Sequence, residues 1–140
     1  MKKKILLIGS GGREHALAWK IRQSPLCGEL FIAPGNAGTA TLGENVSIDA
    51  KDIASIVSFA KEKSIDLVVV APDDPLALGA VDSLTEAGIR AWGPTASAAQ
   101  LESSKAFAKE VMVSAGIPTA RYETFSDFEE ALGRVNRGRY

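Results

Sequence analysis

An apolar run that passes through glycines into a helical pattern is the feature that most constrains this chain. Ile5–Ile8 is apolar and is followed directly by Gly9-Ser10-Gly11-Gly12. Such a run is typical of a buried parallel strand. The glycine turn directs backbone N–H groups at the space before the helix N-terminus, which favours an anion such as phosphate. The turn alone is equally compatible with a tight strand–helix connection that binds nothing.

Two features argue against a dinucleotide at this turn. The dinucleotide fingerprint needs a small third residue, and the position that corresponds to it is Glu14. It also needs a carboxylate after the second strand to bind a ribose. The second apolar run, Leu30–Ala33, ends in Pro34-Gly35-Asn36, without an acid. We therefore expect no binding of NAD or NADP.

Composition narrows the class of protein. The chain has 140 residues, a net charge of −1 and 24% charged residues. This predicts a globular domain with no general affinity for nucleic acid or for a membrane surface. The apolar stretch after Lys2-Lys3-Lys4 is too short for a signal peptide. A single cysteine, Cys27, favours a reducing, cytoplasmic location, and one cysteine with one histidine predicts no zinc-type metal site.

Apolar strand-like runs alternate with amphipathic helical patterns over residues 1–93, which predicts an α/β fold: a Rossmann-like parallel sheet with helices on both faces. The expected strands are Ile5–Ile8, Leu30–Ala33, the region around Val46–Ile48, Leu67–Ala71 and the region around Ile89–Trp92. Helical stripes follow at Ile53–Ala60 and Ala77–Leu84. Trp19 and Trp92 are expected in the core.

The alternation ends after Trp92, so residues 94–140 form a separate region. A short helix is expected at Ala96–Leu101, and a longer one carries Phe107 and ends near Gly116. Tyr122–Phe125 is compatible with a strand. Ser126 has the spacing of a capping box for a last helix. This region is interpreted as a linker and the helical start of a second domain.

Two further loops follow predicted strands and should lie at the same edge of the sheet as the glycine turn. The first contains Asn36, Gly38 and Thr39, which offer short polar groups and a close backbone approach. The second is Pro72-Asp73-Asp74-Pro75. Asp74 before Pro75 predicts a helix N-cap, which leaves Asp73 to accept hydrogen bonds from sugar hydroxyls. Three converging loops thus favour a sugar phosphate as ligand.

The sequence leaves the roles of three further charged or ionisable residues undecided between ligand binding and a structural or surface position. Arg13 at the start of the first helix either reaches a phosphate or faces water, and His15 is interpreted as structural. Lys105 near a helix start opposes the helix dipole. An anion bound nearby would explain that position, and a solvated surface lysine is the alternative.

In combination these residues resemble one family, glycinamide ribonucleotide synthetase, also called phosphoribosylamine–glycine ligase. The matching motifs follow the family's order over residues 1 to about 132. They are Gly9-Ser10-Gly11-Gly12-Arg13-Glu14-His15-Ala16, Pro34-Gly35-Asn36-Ala37-Gly38-Thr39, Pro72-Asp73-Asp74-Pro75-Leu76, Gly93-Pro94-Thr95, Ala99-Gln100-Leu101-Glu102-Ser103-Ser104-Lys105-Ala106-Phe107 with Lys109, and Gly116-Ile117-Pro118-Thr119.

The resemblance implies an ATP-dependent carbon–nitrogen ligase of purine biosynthesis with the ATP-grasp architecture. It joins glycine to 5-phosphoribosylamine and uses ATP and Mg²⁺. Residues 1–93 would be the pre-ATP-grasp domain that binds the sugar phosphate, with the Gly9–Gly12 loop near the phosphate, and residues 94–140 the truncated start of the ATP-grasp domain. The implied substrate-binding residues are Gly11, Gly12, Arg13, Glu14, Asn36, Gly38, Thr39 and Asp73, and Lys105 would approach ATP.

The resemblance also implies what lies outside this chain. The family's ATP lid and its Mg²⁺ carboxylates have no counterpart here, so we expect most of the ATP and Mg²⁺ site, all catalytic residues and all metal ligands in the missing ATP-grasp and C-terminal domains. The 140-residue chain alone is then expected to be inactive. The alternative is a non-catalytic Rossmann-like module that binds a sugar phosphate or nucleotide.

Overall fold

The computed structural model of the protein describes residues 1–137 and divides the chain into two compact units, Met1–Ser103 and Ser104–Tyr140. The expected boundary at residue 93 falls earlier than this division. The helix that follows residue 93 packs with the first unit: Asp82 accepts a hydrogen bond from the Ala96 amide at 2.8 Å, and Ala99 is buried.

The first unit contains a five-stranded parallel sheet. Its strands are β1 (Lys3–Gly9), β2 (Cys27–Pro34), β3 (Glu44–Asn45), β4 (Leu67–Val70) and β5 (Ala91–Trp92), in the order β3-β2-β1-β4-β5. β1 lies at the centre, with Leu6 paired to Phe31 on one side and to Val68 on the other. The predicted α/β fold with a parallel sheet is confirmed.

Within residues 1–137, seven α-helices connect or follow these strands. They are α1 (Gly12–Arg22), α2 (Ile53–Glu62), α3 (Asp73–Ala77), α4 (Ala80–Glu86), α5 (Ala96–Ser103), α6 (Lys105–Ser114) and α7 (Phe128–Asn136), and a 3₁₀ turn lies at Thr39–Thr41. None of the helices in residues 1–137 combines the length and apolarity that crossing a bilayer requires. The expected single helical stripe Ala77–Leu84 is two helices, because Gly79 has a φ of +83° between them.

The core lies on both faces of the sheet, as the alternation of side chains along a strand requires. Leu6 and Ile8 face a cluster that includes Ile56 of α2 and Leu84 of α4. Leu7 belongs to a second apolar cluster on the opposite face of the sheet. That cluster includes Ala18 of α1, and Leu17 and Ile21 of the same helix pack against it. Residues 5–8 of β1 are all apolar because both faces of the strand are covered there.

Several local expectations were wrong. Trp19 and Trp92 are 57% and 61% exposed and do not belong to the core. β3 forms at Glu44–Asn45, ahead of the predicted Val46–Ile48, which packs against the core from a loop. Residues 122–125 form no strand within the described chain.

The cap of the last helix also differs from expectation. The Asp127 carboxylate, one residue after Ser126, accepts from the Glu130 amide at 2.9 Å and caps α7. A carboxylate at this position caps the helix and interacts favourably with its positive end.

Candidate functional site

The carboxyl ends of β1 and β2 bring two predicted loops into contact. The Gly35 amide donates to the Gly9 carbonyl at 3.1 Å. The Asn36 side-chain amide donates to the Ser10 carbonyl at 2.8 Å. The loop after β2 and the glycine turn after β1 therefore form one connected surface, as the sequence predicts for a parallel sheet.

Within that surface, Asn36 and Thr39 hold the loop in shape. The Asn36 side-chain oxygen accepts from the Gly38 and Thr39 amides at 2.7 and 3.0 Å. The Thr39 hydroxyl accepts from the Asn36 amide at 2.7 Å and donates to the Asn36 carbonyl, at 2.9 Å, or to Asn45 Oδ1, at 2.8 Å. Thr39 is fully buried. In this structure both side chains position the loop, and their predicted contact with substrate remains a prediction.

The glycine turn differs from the expected anion cradle in one respect. Glu14, the third residue of α1, reaches back and accepts a hydrogen bond from the Gly11 amide through Oε2 at 2.6 Å. This amide, expected to bind phosphate, therefore has a partner inside the protein. The other first-turn amides, those of Gly12 and Arg13, lie at positions with no intrahelical acceptor.

Gly9 is required for this arrangement. Its φ is +124°, and a Cβ added there would lie 2.5 Å from Glu14 Cγ and 2.9 Å from Pro72 Cγ. Both the backbone conformation and the close approach exclude a side chain. The turn thus brings Glu14 against the loop that follows β4.

A cleft of about 340 Å³ opens at this edge of the sheet. Its walls come from three loops: the glycine turn with Arg13 and Glu14, residues 50–51 before α2, and residues 72–75 at the start of α3. The described cleft thus combines two cationic side chains, Arg13 and Lys51, with acidic ones. This arrangement suits a ligand that carries both an anionic group and hydrogen-bond donors.

Of the two aspartates of the third wall, only Asp74 has a role different from the one expected. α3 begins at Asp73 with Pro72 as its N-cap, so Asp74 is the second helical residue and not the cap. Asp74 instead forms an ion pair with Lys51 Nζ at 2.5 Å. This hydrogen bond and the Asp74 charge raise the pKa of the Lys51 ammonium above its usual value. Asp73 is half-buried and lines the cleft, as a ligand contact requires.

Lys51 is the site residue that sequence reasoning missed. It lies in the loop after β3, at the same carboxyl edge as the predicted loops, and position was the only available signal. Because the sequence predicts the strand around Val46–Ile48, Lys51 is expected only as part of the connector to α2. The ion pair between Lys51 and Asp74 depends on the contact of two loops that are distant in sequence.

The remaining candidate residue, Lys105, belongs to the second unit. It is the first residue of α6 and is exposed, and Ser104 caps that helix by accepting from the Phe107 amide at 3.3 Å. Residues 1–137 contain no group of three or more His, Cys, Asp or Glu that could hold a metal ion.

Comparison with known proteins identifies relatives over most of the chain. Residues 3–102 match the family described as phosphoribosylglycinamide synthetase, N domain. The chain is 56% identical over 136 residues to the phosphoribosylamine–glycine ligase of Allochromatium vinosum, a match that covers 96% of this chain and 32% of that protein.

Solved structures agree with the fold. The phosphoribosylamine–glycine ligase of Thermotoga maritima matches with a TM-score of 0.67 and 30% identity, over 96% of this chain and 30% of that one. A 2-oxoglutarate carboxylase biotin carboxylase domain from Hydrogenobacter thermophilus, solved with MgADP, ADP and bicarbonate, matches with a TM-score of 0.74 and 19% identity, over 100% of this chain and 34% of that one. This second likeness concerns the fold alone. The chain spans about a third of the length of these proteins.

Proposed function

Since the chain belongs to the phosphoribosylglycinamide synthetase N-domain family, we propose that it is the sugar-phosphate-binding portion of a phosphoribosylamine–glycine ligase of purine biosynthesis. The ligase would join glycine to 5-phosphoribosylamine at the expense of ATP, in the cytoplasm. Residues 1–93 would bind the sugar phosphate. Residues 94–140 would be the linker and the start of the ATP-grasp region, where Lys105 would face ATP phosphates.

The observation that carries the proposal is the composition of the cleft at the carboxyl edge of the sheet. Arg13 supplies positive charge for a phosphate, Lys51 supplies a second cation that Asp74 pairs in this structure, and Asp73 supplies a carboxylate for sugar hydroxyls. Ligands of open α/β sheets bind at this edge. The glycine turn itself contributes less positive potential than the sequence implied, because the negatively charged Glu14 side chain lies at the turn and accepts the hydrogen bond of the Gly11 amide.

Direct titration tests the binding proposal. We expect ribose 5-phosphate, a stable analogue of phosphoribosylamine, to bind the 140-residue chain in a calorimetric titration, and NAD not to bind. Lys51→Met and Asp73→Asn should each weaken binding, since a hydrogen bond to a charged group contributes about 1.5–3 kcal/mol, or about tenfold or more in affinity.

Matched controls lie outside the cleft. Lys61 on α2 and Glu86 on α4 are exposed, so Lys61→Met and Glu86→Gln change charge as the two test variants do without changing the cleft. We expect both to bind ribose 5-phosphate as the wild type does. Equal loss in a test variant and its control would mean that the cleft is not the binding site.

The ligase proposal needs the remainder of the protein. In a chimera that joins this chain to the following two-thirds of the A. vinosum enzyme, we expect ADP formation that depends on both glycine and phosphoribosylamine. Lys105→Ala in the same chimera should lower that rate, because the lysine would neutralise phosphate charge. A folded chimera that binds ribose 5-phosphate without forming ADP would favour the alternative of a non-catalytic binding module.

A further inference from the structure

One polar atom at the cleft lacks a partner. Glu14 is only 4% exposed, and its Oε1 is buried and makes no hydrogen bond within the described protein. Its other oxygen, Oε2, holds the Gly11 amide at 2.6 Å. The carboxyl group therefore caps the glycine turn with one oxygen, while the second oxygen is buried and unpaired in a side chain that helps to line the cleft.

A buried acceptor without a donor is unfavourable in a folded protein. Leaving such a group unsatisfied destabilises the structure, and most buried polar atoms in native proteins have a partner. Capping requires only one carboxyl oxygen, so the cap does not account for the second. A donor supplied by a ligand would satisfy Oε1 where the protein itself supplies none.

The chemistry of this oxygen selects the part of a ligand that can approach it. A carboxylate oxygen accepts hydrogen bonds and repels an anion. The positive charge on the cleft wall comes from Arg13 and from Lys51, which pairs with Asp74. A ligand with a phosphate at one end and N–H or O–H donors at the other would therefore bind with its donors towards Glu14.

We infer that Glu14 is a specificity-determining residue that accepts a hydrogen bond from an N–H or O–H group of the aminated sugar. The sugar end of the ligand, rather than its phosphate, then faces the Glu14 carboxyl group. This inference rests on the proposed function, and it reverses the orientation that the glycine turn alone suggested.

Ligands that lack single hydroxyls test the inference. We would titrate the wild-type chain with ribose 5-phosphate, with its 1-deoxy, 2-deoxy and 3-deoxy analogues, and with inorganic phosphate. Loss of the group that Glu14 recognises should weaken binding about tenfold or more. The analogue that shows this loss identifies the position of the donor on the sugar.

Glu14→Gln separates recognition from capping. The glutamine oxygen can still accept from the Gly11 amide, but the remaining NH₂ group is a donor and cannot accept from the sugar. We expect the selectivity against that deoxy analogue to fall from about tenfold to less than about threefold. Thermal unfolding should change little. Glu86→Gln, on the exposed surface of α4, should keep the wild-type selectivity.

A measurement on the wild-type chain avoids dependence on the folding of the variant. The ¹³C chemical shift of the Glu14 carboxyl carbon should move when ribose 5-phosphate binds and should not move with inorganic phosphate. Unchanged selectivity in folded Glu14→Gln, or an unchanged Glu14 shift with bound sugar phosphate, would overturn this inference alone. Absence of any ribose 5-phosphate binding to the wild type would overturn both it and the proposed function.

Discussion

The two units of the chain differ in how far their side chains are buried. In Met1–Ser103, β1 carries three fully buried residues, Leu6, Leu7 and Ile8, between two apolar clusters. Between Ser104 and Arg137, no residue is fully buried, and Phe128 of α7 is 74% exposed. An amphipathic pattern predicts a helix in both units, but only in the first does that helix cover a sheet. The comparison teaches that an apolar periodicity in the sequence specifies a helix. The stability of that helix additionally requires a second apolar surface against which it can pack.

Hydrogen exchange should show the largest difference. Amides of β1 and β4 should exchange at least about a thousandfold more slowly than those of α6 and α7, because core elements open only with the whole domain. Exchange followed by mass spectrometry of peptic fragments measures this. Equal protection in both units would mean that the exposed faces of α6 and α7 do not lower their stability.

A matched pair of leucine substitutions sharpens the comparison. Leu6→Ala removes a fully buried side chain and should lower the free energy of unfolding by about 2–5 kcal/mol. Leu132→Ala, at a position 41% exposed on α7, should lower it by less than about 1 kcal/mol.

Fluorescence can isolate the first unit in that experiment, because both tryptophans, Trp19 and Trp92, lie there. Urea unfolding should be followed by fluorescence for that unit and by far-ultraviolet circular dichroism for both. A loss of more than about 1 kcal/mol in Leu132→Ala would contradict the expectation that this exposed side chain contributes little to stability.

Two glycines with positive φ give a smaller contrast. Gly9→Ala combines a strained backbone with overlap against Glu14 and Pro72, so we expect a loss of about 2–4 kcal/mol. Gly116 has a φ of +66° and open space around it, so Gly116→Ala should lose only about 1–2 kcal/mol of backbone strain. Ribose 5-phosphate binding should also fall in Gly9→Ala and remain in Gly116→Ala. Equal losses of stability would show that the close approach to Glu14 is easily relieved.

Acid sensitivity should show the smallest difference, because each unit has an exposed ion pair. Hydrogen bonds from Lys3, and from the Lys4 amide, lower the pKa of Asp66. A hydrogen bond from Arg134 lowers the pKa of Glu123. A carboxyl group with a lowered folded-state pKa stabilises the protein above its unfolded-state pKa, and this contribution disappears as pH falls through the folded-state pKa.

Asp66→Asn should therefore flatten the acid part of the stability–pH curve of the first unit, and Glu123→Gln that of the second. Unfolding by urea between pH 7 and pH 3 measures both changes. Both should be small because the pairs are exposed to solvent. A variant whose acid dependence equals that of the wild type would show that its pair contributes nothing.

The candidate site was predictable in outline and not in its contacts. The glycine turn, the Asn36 loop and the Asp73 loop follow strands of one parallel sheet, so their meeting at one edge follows from the order of elements. Their hydrogen bonds do not follow from that order. The sequence assigns Asp74 a local role as a helix N-cap before Pro75, but α3 begins two residues earlier, at Asp73, and Asp74 pairs with Lys51.

The sequence by itself determined the alternation of strands and helices, the parallel sheet, the meeting of the three loops and the family. These depend on local periodicity and on the order of motifs along the chain. Only the tertiary structure decided that Trp19 and Trp92 are exposed, that Thr39 is buried within its own loop, and that Glu14 takes the Gly11 amide and leaves one oxygen without a partner. Burial and partnership depend on which groups of different elements come within contact distance, and the spacing of residues along a chain does not specify those distances.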